Sequence, residues 1–133
     1  MNNMINTLEI GKYIHNILSS NAELQQLGVK DYPLIADNDA KFPFIVYKRN
    51  GLVSMMTKDG IYQDNVTIEI KIVSDKYAIG VQIANIVRGL LQRQYMTFGG
   101  IEIDDVAINF ANEDFTENAY IQTMQFILKI QNI

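Results

Sequence analysis

The chain has 133 residues, 48% hydrophobic and 20% charged, with 11 Lys+Arg against 15 Asp+Glu and no cysteine. That is ordinary globular usage, which argues against intrinsic disorder, and without a Pro/Gly/Ser-rich stretch or composition shift it reads as a single domain over 1–133. A net charge of -4 with scattered basic residues argues against a specific nucleic-acid surface, and the missing Cys excludes a disulfide framework, a thiolate metal site and a Cys nucleophile.

The first residues, Met1-Asn2-Asn3-Met4, lack the basic and apolar regions of a signal peptide. No run of about 18 apolar residues would span a bilayer, so the expectation is a soluble protein inside a cell, with no membrane partner. Asn6 with Glu9 is an N-cap signature, and Ile5 can staple onto Ile10, so a helix should begin near Thr7. Ile10, Ile14, Ile17 and Leu18 form its buried stripe. Ser20 with Glu23 repeats the capping-box pattern and predicts a short second helix, Asn21 to Leu27, stopped by Gly28.

Tyr32 to Ala36 is a short strand candidate that Pro33 confines to an edge or a strand start, followed by a turn at Asp37-Asn38-Asp39. Pro43 to Asn50 is a strand, apolar on both sides near its start. It opens a long hairpin signal that runs from Phe44 through Lys58-Asp59-Gly60 to Ser74. Polarity is uneven from Gly51 to Thr57, and from Val66 it becomes strict alternation, with Val66, Ile68, Ile70 and Ile72 facing one way. Arms of this kind at ~3.3 Å per residue reach roughly 40 Å. A compact chain of this length is only about 36 Å across. Part of the hairpin should therefore project, carrying Leu52, Val53, Met55, Met56, Ile61 and Tyr62, a patch that a lone soluble domain rarely leaves in water. Met55 and Met56 suit two uses, burial under a neighbouring loop of the same chain or contact with another subunit.

Ser74 with Asp75 reads as the N-terminus of another helix, whose apolar face is Ile79, Ile83, Ile86, Val87, Leu90 and Leu91 and which ends between Gln92 and Tyr95. After a Gly99-Gly100 turn come two strands, Ile101 to Phe110 and Tyr120 to Ile130, in which Val106, Ile108 and Phe110 answer Met124, Phe126, Leu128 and Ile130. Asn112 to Asn118 reads as a polar, acidic loop between them. The fold class is α+β, a mostly antiparallel sheet with a long β-hairpin and helices packed on one face.

Catalytic candidates are weak. His15 is the only histidine, with no His-x-x-x-His spacing or orienting partner in the sequence, and reads as a surface or boundary residue. Asp37 with Asp39, and Asp104 with Asp105, lack the Gly and closing Glu of a calcium loop, so they read as solvated turn carboxylates. Glu113, Asp114 and Glu117 form the densest acidic cluster, but nothing apolar around them would separate their pKa values for acid-base work. No nucleophile elbow, phosphate-cradling loop or dinucleotide fingerprint occurs, and no metal or cofactor is implied. Seven Tyr and six Phe supply rings of the kind that stack on bases, but the scattered basic residues form no positive groove of the kind such binders need.

Asn21-Ala22-Glu23-Leu24-Gln25-Gln26-Leu27-Gly28, Tyr32-Pro33 and Phe42-Pro43-Phe44-Ile45-Val46-Tyr47 together resemble the opening of the tail-completion, or tail-terminator, proteins of long-tailed bacteriophages and prophages. The likeness continues through Val66 to Val73, the helix begun by Ser74-Asp75-Lys76-Tyr77 and the late strand pair. It implies a non-enzymatic subunit of a ring, commonly a hexamer, that caps the tail tube. Its partners would be other copies of itself, the major tail tube protein and the head-completion protein, and it would be a virion component assembled in the bacterial cytoplasm. In that family sheet edges and the long hairpin make ring contacts, so Leu52, Val53, Met55, Met56, Ile61 and Tyr62 would be the oligomer interface. The competing readings are another head-tail connector or minor tail protein, a small dimeric α+β ligand-binding module, and a weakly recognisable enzyme.

Overall fold

A computed structural model describes residues 7–56, 62–92, 95–98 and 100–132, without the side chains of Tyr62 and Asn132. The N-cap expected at Asn6, the staple from Ile5 and the turn at Lys58-Asp59-Gly60 lie outside these residues. A single 3-10 turn, Thr7–Glu9, leads into α1 (Ile10–Ser19). Ile10, Ile14 and Leu18 are buried as their spacing requires, and Tyr13 joins them. The chain then restarts as α2 (Ala22–Gln26), where Asn21, not Ser20, is the cap: its side-chain Oδ1 accepts the Leu24 N–H at 2.9 Å. Ser20 is spent on the preceding helix, its Oγ donating to the Asn16 carbonyl at 2.7 Å. Gly28 ends α2 at φ 72, a conformation that costs a residue without Cβ little.

β1 (Lys30–Pro33) begins two residues before the expected Tyr32 and ends three before the expected Ala36, where Leu34 adopts φ 66 and its N–H donates to the Tyr47 carbonyl. Then follow β2 (Phe44–Met56), β3 (Tyr62–Ser74), α3 (Tyr77–Leu91), β4 (Met96–Phe98), β5 (Ile101–Thr116) and β6 (Ala119–Asn132). The six strands form one sheet in the order β1-β2-β3-β6-β5-β4, antiparallel except for the β1–β2 pair. Pro33, which cannot donate to a ladder, sits on the edge strand β1.

Ser74 does not cap α3 directly. Fully buried, it exchanges hydrogen bonds with the backbone N–H and carbonyl of Lys76, so the helix begins later, at Tyr77. α1 lies against β1 and β2, and α3 against β3, β5 and β6. Their apolar side chains merge with one face of the sheet into one core, with Tyr13, Ile14, Ile83, Val87, Ile68, Ile70 and Phe126 all fully or almost fully buried. Gly80 lies where α3 meets the sheet; a Cβ there would stand 3.5 Å from Ser74 Cβ and 3.8 Å from Gln122 Cγ, ordinary contact distances, so this packing would also admit alanine.

Two expectations about β5 fail. Its register against β6 slips between Ile103 and Asp105 and again between Ile108 and Phe110, and each inserted residue reverses which side chains face the helices. Phe110 therefore points to the outer face and is 50% exposed, instead of continuing the inward set of Val106 and Ile108. Nor is Asn112–Asn118 a loop: β5 runs on to Thr116, and only Glu117 and Asn118 turn, at φ 52 and 62, as a two-residue hairpin joining twisted strands requires.

Candidate assembly surface

β2 also carries a bulge, at Asn50, where its register against β3 shifts between Arg49 and Gly51. Before it Ile45, Tyr47 and Arg49 share the core face; after it Leu52, Ser54 and Met56 do, since Leu52 lies opposite the buried Val66. The uneven polarity after Gly51 is this change of parity. Its consequence divides the expected apolar patch. Val53 and Met55, 63% and 48% exposed, point to the outer face, whereas Leu52 packs against the core and Met56, on the same side of the sheet, is 65% exposed. Ile61 lies outside the described residues, and Tyr62 is placed by its backbone alone, opposite Met56.

The arm is also not a two-stranded ribbon. β3 pairs with β6 from Gln63 opposite Gln131 to Ser74 opposite Tyr120, so its whole described length lies inside the sheet. Of these two arms, only β2 has a side without a described partner strand along part of its length. β1 pairs with Phe44 to Tyr47, and no described strand pairs with the same edge of residues 48–56. The opposite border is similar, because β4 covers only Ile101 to Ile103 of β5 and leaves residues 104–116 without a described strand.

Two of the three bulges, at Asn50 and Asn109, are tied together across the outer face. Asn50 Nδ2 donates to Glu69 at 3.0 Å and to Gln125 at 3.3 Å, and Gln125 Nε2 donates to Asn109, the inserted residue of β5, at 3.3 Å. Partial burial works against the Glu69 charge, but the Asn50 bond and the Lys71 and Lys48 ammonium groups outweigh it and hold its carboxyl below the usual range.

At the far end of the β5–β6 hairpin, Phe115 and Tyr120 meet at a centroid distance of 4.8 Å, and Tyr77 packs edge-on against Tyr120 at 5.7 Å. Glu113 accepts from Gln122 at 2.9 Å and from the Tyr77 hydroxyl at 2.8 Å, and these two bonds lower its pKa. A carboxylate already held by two donors is a structural acceptor more than a base. Sequence reasoning missed this cluster; its only signal was Phe115 within an otherwise polar segment.

His15 pairs with Asp31 of β1, an ion pair when the ring is protonated, with the carboxylate largely buried and the ring half exposed. Asp37 shapes its turn by accepting the Ala40 N–H through its carbonyl. Among the described residues no three His, Asp or Glu side chains gather as a metal site. A cavity of about 300 Å³ opens beside α1, lined by Leu8, Leu34, Tyr47, Arg49 and Ile68 among others, where the Arg49 guanidinium donates to the Leu8 carbonyl at 2.9 Å.

No family model matches this sequence, and no curated protein matches it. Among solved structures, the fold is shared with a chain of the virion of a native gene transfer agent (GTA) particle, with a TM-score of 0.77 at 13% identity, covering 90% of this chain and 92% of that one. The likeness takes in almost the whole of both chains and concerns the fold.

Proposed function

We propose that this chain is a non-enzymatic virion assembly protein of a phage, prophage or phage-like particle, and that it acts as a tail terminator. Copies form a ring on the last layer of the tail tube, stop its growth and offer a surface to the head-completion protein. The observation that carries this reading is the shared fold with a virion chain over nine-tenths of both molecules. The sequence resemblance to tail-completion proteins, found independently of that fold, points the same way. A ring subunit needs two different, complementary surfaces, and the unmatched borders at β2 and β5 suit that need.

Negative-stain microscopy of particles made with and without the gene is the test. Loss of the protein should give tails of uncontrolled length separated from heads. Tails of normal length, joined to heads, would reject the role.

A further inference from the structure

We propose, building on the ring reading above, that copies of this chain join edge to edge: residues 48–56 of β2 in one copy add as an antiparallel strand to residues 104–116 of β5 in the next. Neither stretch has a described strand on its outer side, and they lie on opposite borders of one sheet, so a single copy cannot pair them with each other. Strand sense fits. β2, β3, β6 and β5 alternate in direction, so β2 and β5 run opposite ways and a second sheet laid beside the first continues it antiparallel.

Charge selects the partner. Residues 48–56 contain Lys48 and Arg49 and no acid; residues 104–116 contain Asp104, Asp105, Glu113 and Asp114 and no base. Two β5 edges would set carboxylates against carboxylates, whereas unlike edges set bases against acids, which favours a second copy placed head to tail. Parity agrees as well. A register with Lys48 beside Asp114 puts both on the outer face, and it puts Arg49 beside Glu113 on the core face.

Apolar side chains line the same borders. Val53, Met55 and Met56 on β2 and Phe110 and Phe115 on β5 are each about half exposed or more. Added strands gain affinity from main-chain hydrogen bonds and specificity from side chains of this kind. Bulges usually guard free edges. Here Asn50 and Asn109 are bonded across the outer face to Glu69 and Gln125, the third bulge, at Asp104, lies at the end of its stretch, and pairing is regular from Gly51 to Met56 and from Phe110 to Thr116.

The test uses full chains in sedimentation velocity at high micromolar concentration. Met55→Asp with Met56→Asp blocks the β2 edge, and Glu113→Lys with Asp114→Lys blocks the β5 edge. Wild type should assemble, each variant alone should be monomeric, and an equimolar mixture should give a heterodimer that grows no further, because one intact edge of each kind remains. If the β5 variant melts far below wild type, Asp104→Lys with Asp105→Lys replaces it. A monomeric wild type, a variant that assembles as wild type does, or a mixture that stays monomeric would each overturn edge pairing. Those results leave the terminator reading standing, because tail length in particles is measured separately.

Discussion

β6 and β5 are neighbours of similar length, yet they are built on different terms. β6 is paired on both sides along most of its length and places Met124, Phe126, Leu128 and Ile130 against the helices, none more than 5% exposed. β5 changes parity twice and exposes Phe110 and Phe115 at 50% and 55%. A strand ruled by period two has its side chains fixed by the core. A strand with inserted residues can aim apolar groups elsewhere. The sheet thus has an interior that supplies stability and borders that carry exposed apolar side chains.

The strongest way to break this contrast is to truncate the same residue type in both strands. Phe126→Ala should cost about 3–5 kcal/mol, as a buried aromatic lost to a cavity does. Phe110→Ala, at the exposed border, should stay within about 0.5 kcal/mol. Urea midpoints at constant slope would measure both, and equal losses would mean that β5 is as much core as β6.

Tyr13 sharpens the interior side. Its ring packs edge-on against Phe98 at 5.6 Å, but its buried hydroxyl has no hydrogen-bond partner among the described residues. Tyr13→Phe should therefore stabilise the fold by about 1 kcal/mol. Burial pushes the hydroxyl's pKa up to about 12, above its unfolded value near 10. The folded state then holds the proton longer, so stability from this group is fully present below pH ~10 and is lost as pH rises toward ~12. Tyr13→Phe should flatten that alkaline loss in thermal melts.

The outer face offers a smaller effect. Asn50→Ala should cost about 1 kcal/mol and raise the Glu69 pKa, seen by carboxyl NMR titration, because the removed bond favours the ionised form. Since the folded pKa is depressed, this group's stabilisation is present above the unfolded value of ~4.3 and disappears as pH falls through the folded one. The variant should show a weaker acid dependence than wild type. Smallest of all is the effect on folding of Met55→Asp with Met56→Asp, within about 0.5 kcal/mol for exposed positions. If that double variant fails to fold, the methionines belong to the interior instead.

Legibility in the sequence followed the same division. Period two on β3 and helical spacing on α1 and α3 were plain because every inward position there holds an apolar residue, from Val66 to Ile72 and from Ile79 to Leu91. β4 was missed because three residues, Met96–Phe98, show no period. The bulges were invisible because Asn50, Asp104 and Asn109 look like ordinary polar residues; only the broken alternation after Gly51 hinted at an insertion. Phe110 was assigned inward by extending a rhythm that Asn109 interrupts. The residues expected at the interface are legible as apolar but not by face, since one inserted residue decides whether Met55 or Met56 shares a side with Val66.

Amide hydrogen exchange on the free chain and on the chain within its assembly tests the central claim most directly. In the free chain, residues 48–56 and 104–116 should exchange faster than β3 and β6, and assembly should slow those two stretches together. Protection that appears elsewhere while both borders exchange unchanged would contradict the account.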